Sequence, residues 1–267
     1  MKHQLTLSLA SSAVFAGLVV SQFAGQHAVA QQKAHPDFSG IWNYSVDLPG
    51  TALRQQVDGK AVVNAPDRSG RVAAKEVVRG ALPSTAAPAY KPELLSKLKD
   101  LDDHQSHTDG VFYCGKPGVP RIGPPRKIMQ STKEIIFFYE DMSGDTYRII
   151  PFNAKHNEDA DPSFLGDSVA SWDGDKLVVE AVNFVDKTWF GERGYFHSDA
   201  MKVTERFWHQ GANLAYQVTV EDPKVLTAPW VMAARLIKPS TESLIESALC
   251  VEDDAHRLTN TDHHGQR

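Results

Sequence analysis

Cysteine is nearly absent from this chain: there are two, Cys114 and Cys250, and neither sits in a CxxC or other metal-ligand spacing. That argues against structural zinc and leaves three readings of the pair: a disulfide, two buried thiols, or a catalytic thiol. Positive charge is also in deficit. Lys and Arg number 28 against 33 Asp and Glu, a formal charge of −5, which gives no support to nucleic acid or an anionic membrane as partner. The sharp catalytic motifs are missing too. There is no GxSxG, P-loop, HExxH, or GxGxxG at a strand–helix junction, so the familiar serine hydrolases, NTPases, zincins and nicotinamide enzymes drop out. No internal repeat supports a propeller, and no segment after the N-terminus is long and apolar enough to read as a membrane span.

The one extended apolar run lies at the start. Lys2 and His3 form a short polar n-region, residues 5–20 are largely apolar, and Ala28-Val29-Ala30 supplies a small-x-small cleavage pattern before Gln31. Residues 1–30 therefore read as a signal peptide, and the mature chain as periplasmic or secreted. Cleavage after Ala30 leaves 237 residues (267 less 30), and loss of Lys2 takes the charge from −5 to −6. In an oxidising compartment an even cysteine pair favours the disulfide among the three readings.

The rest, 31–267, reads as one β domain. FSGIWN at 38–43 looks like a first strand with an aromatic anchor. Residues 47–110 form an irregular excursion rich in Pro, Gly and Ala, with a short helix near 71–78 and an amphipathic one at 91–101, where Leu94, Leu95, Leu98 and Leu101 recur at helical spacing. From residue 126 onward the pattern is a β-meander. Strands are expected at 127–130, 134–139, 146–152, 168–172, 176–183, 230–236 and 242–250, with a long hairpin over 201–222. Residues 254–267 are a polar tail. Eight or more antiparallel strands without βαβ spacing predict a mainly β fold: an antiparallel barrel of lipocalin or calycin type, with a sandwich as the alternative. A barrel of that size holds one small ligand.

The hairpin MKVTERFWHQGANLAYQVTVED carries the most telling residue. Side chains alternate along a strand, so Met201, Val203, Glu205 and Phe207 share a face, and Leu214, Tyr216, Val218 and Val220 share the apolar face of the return strand. A carboxylate on such a face is paired, protonated or at work. Arg148, inward by the alternation of Thr146, Arg148 and Ile150, is its candidate partner. A buried pair of this kind can be purely structural; it can equally anchor a substrate or tune Glu205 as a base. His197, in GYFHSD just before the strand, suits acid–base work near neutral pH, or else holds its loop through a backbone carbonyl. Tyr113, beside Cys114, and Arg121 in the Pro-rich loop are further polar candidates. Asp167 is placed at the barrel mouth or else caps the turn before its strand, and His156 faces the same mouth. Trp189-Phe190 are core fillers, the commoner fate of aromatics, or, lying in a loop, stand beside a ligand or, on a third reading, exposed on a partner-binding surface. No cofactor and no metal is expected: His104, His107, His263 and His264 all lie in polar runs.

Taken together, FSGIWN, CGKPGVPR, FLGDSVASWDGDKLVVEAVNF, HSDAMKVTERF and VTVEDP…APW resemble a widespread family of exported bacterial β-rich proteins. That family's pattern runs SGxWN, CxPxGxPR, GDSxGxWEGDTLVVxT, HSDxxxxxERF and DPxxxxxPW. Here Ala170 and Asp173 replace its usual Gly and Glu, and Glu180-Ala181 stands near its usual Thr. Some members are similar to lyases that eliminate formaldehyde from lignin-derived phenylcoumaran dimers. The resemblance implies a cofactor-independent lyase or isomerase acting on a small aromatic or hydrophobic molecule inside the barrel. Glu205 or His197 would be the base, and Arg148 or Tyr113 would stabilise negative charge; Tyr216, His156, Asp167, Trp189, Phe190 and Arg121 would line the site. A lipocalin-like carrier without catalysis is the alternative.

Overall fold

The structure is a computed structural model that describes residues 35–43, 78–141, 144, 146–247 and 250–251, and the backbone of 55–57 and 60–62. The expected signal peptide, the helix near 71–78 apart from its last residue, and the polar tail lie outside the described residues.

Among the described residues, twelve strands and two short α-helices follow in chain order. They are β1 (Gly40–Asn43), β2 (Gln55–Val57), β3 (Lys60–Val62), α1 (Leu95–Asp103), α2 (Gln105–Thr108), β4 (Lys127–Gln130), β5 (Glu134–Tyr139), β6 (Thr146–Pro151), β7 (Asp167–Asp173), β8 (Lys176–Val182), β9 (Lys202–Gln210), β10 (Asn213–Glu221), β11 (Trp230–Val231) and β12 (Arg235–Pro239). Nine of the strands form one antiparallel path, β6-β5-β4-β1-β12-β10-β9-β8-β7; β11 adds to β10, and β2 and β3 make a separate hairpin. The two ends of the path meet through a parallel bridge between Phe152 and Ala170, with Asn153 N–H donating to the Ala170 carbonyl at 2.8 Å. The result is the expected mainly β fold, as a nearly closed nine-strand barrel.

The period-2 pattern explains the interior. Along β7 to β10 the inward side chains stand in rows. One row is Ser168, Ala181, Val203 and Val220; the next is Ala170, Val179, Glu205 and Val218; the third is Trp172, Leu177, Phe207 and Tyr216. The other wall presents Ile128, Phe137 and Arg148 in register across β4, β5 and β6. All but Trp172 of these residues are buried, the apolar ones forming a single core with Phe38, Trp42, Tyr139 and Ile237. Full burial of a Phe or Leu there stabilises by about 1.5–3 kcal/mol. The β9–β10 turn runs through Gly211, whose φ of +65° is a conformation glycine adopts without a side-chain clash.

Burial also reaches the outer face of β9 and β10, where alternation predicts exposure. The segment at 79–85 lies over it like a strap. Gln217 donates to the Leu82 carbonyl and accepts from Leu82 N–H, at 2.9 and 2.8 Å, and the Trp208 indole donates to the Arg79 carbonyl at 2.8 Å. The amphipathic helix forms as α1, entered through a 3-10 turn at Pro92–Leu94. Leu94, Leu98 and Leu101 pack on the core, while Leu95 turns to solvent.

Two strand expectations need correction. The stretch at 230–236 is two strands, because β11 pairs with Thr219 and Val220 of β10 whereas β12 shifts to bridge Leu214–Tyr216 and β1. The stretch at 242–250 is no strand in its described part. β12 is already flanked by β1 and β10, so the chain after Pro239 cannot fold back to pair with it. It is held instead by Ile245 N–H donating to Glu140 at 2.8 Å and by the Cys114–Cys250 disulfide.

Candidate functional site

The barrel interior holds one polar group of note. Glu205, on β9, is completely buried. Its Oε2 accepts a hydrogen bond from Arg148 Nη2, reaching across from β6, and its Oε1 accepts from the Tyr216 hydroxyl on β10 at 3.1 Å. Both carboxylate oxygens are thus partnered, and the Arg148 side chain is 3% exposed. The surroundings are aromatic. Phe207 lies 4.9 Å from Tyr216 and 5.2 Å from Phe137, centroid to centroid. The Arg148 guanidinium sits 5.4 Å from the Phe137 ring and 5.9 Å from the Tyr139 ring.

Arg148 is more than half unspent. A guanidinium carries five N–H donors, and its Nε and Nη1 atoms are buried with no hydrogen-bond partner among the described residues. Leaving buried charged donors unmet is costly. Burial is the strongest single influence and works against the charged guanidinium, but Glu205 together with the Tyr139 and Tyr216 phenols outweighs it and raises the Arg148 pKa. Burial, and next to it the Glu205 charge, push the Tyr216 phenol well above its ordinary range, so it remains a donor. Such a cluster can hold an acceptor oxygen at Arg148 and move a proton at Glu205.

Glu205, Arg148 and Tyr216 are therefore brought together. Tyr139 is the member the sequence reading missed. The only signal was the alternation of Ile135, Phe137 and Tyr139 along EIIFFY, in a strand apolar on both faces.

The other candidates are tied into separate groups. His197 is buried, with Nδ1 donating to the Ser198 carbonyl at 2.8 Å and Nε2 accepting from the Thr188 hydroxyl at 2.7 Å. Burial lowers its pKa, so the ring is neutral at neutral pH. Trp189 and Phe190 are buried as well. Phe190 packs within 6.3 Å of Tyr90, Tyr195 and Trp230, so the pair builds core and no exposed Trp189-Phe190 surface exists. Asp167 accepts from His156 Nδ1 at 2.7 Å and from Asn157 N–H at 2.9 Å, both side chains about a quarter exposed. Arg121 grips Asp109 with both Nη atoms, at 2.8 and 2.6 Å, and Tyr113 is partly exposed in the 3-10 turn beside Cys114. None of these hydrogen bonds or ring contacts reaches the Glu205 group.

Among the described residues, no three His, Cys, Asp or Glu side chains converge as metal ligands do. A pocket of about 360 Å³ opens beside Asp222, Leu226 and Pro229. Its one buried carboxylate, Asp222, is spent on Ser198 N–H, the Ser198 hydroxyl and Lys224 N–H at 2.7–3.0 Å. No described helix is long and apolar enough to cross a membrane, and a disulfide is compatible with an extracytoplasmic location. In comparisons with known proteins, the chain matches no family model, no curated protein and no solved structure.

Proposed function

We propose that this protein is an exported, cofactor-independent lyase or isomerase that acts on a small aromatic molecule by acid–base chemistry inside its barrel. The observation that carries the reading is the interior group itself: a carboxylate with zero exposure, set among aromatic rings, beside a guanidinium whose Nε and Nη1 are unmatched. In this reading Glu205 takes a proton from the substrate. Arg148 donates to the oxygen on which negative charge develops, in a water-poor interior where such a donor is most effective. Tyr216 holds the second oxygen of Glu205 and fixes the carboxylate's orientation. The sequence resemblance points to lignin-derived aromatic dimers as substrates, with formaldehyde as the leaving fragment.

The test is a panel of such dimers incubated with the mature protein, with released formaldehyde and the mass of the aromatic product as readouts. Glu205→Gln keeps size and shape, and should lower turnover by about 100-fold or more while the circular-dichroism spectrum stays unchanged. Full activity in that variant, or no turnover of any dimer by the wild type, rejects the proposal. Fractionation of expressing cells and N-terminal sequencing test the export reading, which requires a mature chain beginning at Gln31.

A second reading, a carrier without catalysis, is favoured by one observation: both oxygens of Glu205 are already engaged. A carrier returns its ligand with unchanged mass, and Glu205→Gln alters its affinity alone.

A further inference from the structure

The outward side chains of an antiparallel barrel alternate with those of the core and are ordinarily polar. On β4, β5 and β6 they are not. In register, they stand in three rows: Lys127, Phe138 and Tyr147; Met129, Ile136 and Ile149; and Glu134 with Pro151. The first row is continuous, with the Phe138 and Tyr147 rings 6.2 Å apart and the Lys127 Nζ 6.0 Å from the Phe138 centroid. Met129, Tyr147 and Ile149 are 47%, 59% and 53% exposed. The chain covers the outer face of β9 and β10 with its own segment at 79–85, but it leaves this face open. A contiguous apolar surface of that kind marks an interaction site.

Its charges indicate the partner. The rows carry one cation and one anion at opposite ends, Lys127 in the first and Glu134 in the third, and neither belongs to an ion pair among the described residues. Glu140, next beyond Phe138, is already taken up by Arg126 at 2.8 Å, and Lys133, beside Glu134, has the opposite parity. A face with no net charge and its two signs at opposite ends is complementary to itself. We propose that a second copy of the chain packs here, the two sheets stacked face to face about a two-fold axis that crosses β4, β5 and β6 at the middle row. That axis sets Ile149 against Ile149 and Tyr147 against Pro151. It also brings Lys127 within one strand spacing, about 4.8 Å sideways, of Glu134 of the second copy. Three strands on a convex barrel make a small interface, so the dimer is reversible, with a dissociation constant on the order of 10–100 μM.

The experiment is sedimentation velocity of the purified, disulfide-bonded protein from about 1 to 500 μM, a span that brackets such a constant. The expected result is a monomer passing to a dimer. Ile149→Lys sets two cations against each other at the axis and should weaken association by about 100-fold or more; the position is half exposed, so the circular-dichroism spectrum should not change. Lys127→Glu and Glu134→Lys each turn both symmetry-related attractions into repulsions and should weaken the dimer by about tenfold. The double variant Lys127→Glu/Glu134→Lys restores opposite signs and should return to within about threefold of wild type.

A wild-type protein that stays monomeric throughout overturns the proposal, as does a dimer indifferent to Ile149→Lys. A dimer that Ile149→Lys breaks and the charge swaps leave alone pairs β6 edge to edge, with Lys127 and the second copy's Glu134 about four strand spacings apart; it overturns the stacked arrangement. A monomer that floats with phosphatidylethanolamine–phosphatidylglycerol vesicles, and no longer does so as Ile149→Lys, gives the face to a membrane and overturns it as well.

Discussion

Removing the Arg148–Glu205 pair one half at a time, and then whole, separates what the pair costs from what it contributes. Arg148→Met leaves the fully buried Glu205 carboxylate with the Tyr216 hydroxyl as its one remaining partner. Glu205→Leu leaves the guanidinium, whose Nε and Nη1 are already unmatched, with no acceptor at all. Stranding a buried charge in this way costs about 3–5 kcal/mol, a large share of the 5–15 kcal/mol typical of a whole domain. The double variant removes both desolvated charges and leaves two apolar side chains among Phe137, Phe207 and Val179. Such replacements are neutral or stabilising by about 1–4 kcal/mol. The prediction is strong non-additivity, with each single variant far less stable than the double. Urea unfolding at pH 7 with the disulfide intact measures it, provided the slope against denaturant is unchanged, so that midpoints compare stability. Additive losses, with the double variant worse than either single one, would refute the reasoning. The pair would then contribute stability, and its retention would need no functional cause.

Three further outcomes are expected. The His197 pKa is lowered by burial from its ordinary 6.5, so the unfolded chain binds more protons than the folded one below that pH. Stability should be complete above pH 6.5 and fall beneath it by up to about 1.4 kcal/mol per pH unit; His197→Gln should flatten that part of a urea-midpoint profile. Reducing the Cys114–Cys250 bridge, whose partners lie 136 residues apart, should cost about 5 kcal/mol by the chain-entropy relation, and a Cys114→Ser/Cys250→Ser variant read by chemical unfolding gives the value. Gly166→Ala should destabilise by about 2 kcal/mol or more. Its φ is +69°, and a Cβ there would lie 2.6 Å from the Val182 carbonyl and 2.7 Å from the Phe184 ring; a thermal melt within 2 °C of wild type would show that the loop relaxes instead.

Much of the architecture was legible because the inward positions of β9 and β10 are apolar at period 2, Glu205 apart, around an unambiguous turn. The same alternation put Glu205 and Arg148 on inward faces, and the structure joins them. Tyr139 escaped notice because β5 is apolar on both sides, and period 2 then marks no inside. For Trp189 and Phe190 a loop position favoured a place beside a ligand over core filling, but an aromatic loop can fold inward and become core, as this one does against Tyr90 and Trp230. The closure of the barrel left no local trace. It depends on one parallel bridge from Phe152 to Ala170 and on β1 inserting between β4 and β12, and no window of neighbouring residues records either. The described part of the expected strand at 242–250 shows the converse: a stretch read as a strand from its own residues forms none after β12, which is already paired on both sides.

The position of β1 carries a consequence for how the protein comes into being. Trp42 pairs with Pro239 and Asn43 with Lys238, so the first strand of the barrel waits for nearly the last. Contacts so distant along the chain make for slow folding. A polypeptide still emerging from a ribosome or a translocation pore cannot seal its barrel until residue 239 is free. Until then β1, paired only with β4, offers an open sheet edge, which is available to any other extended chain. The molecule's period of greatest exposure to aggregation and proteases is therefore set by its synthesis, and anything that shields that edge in the interval would govern yield more than the stability of the finished barrel.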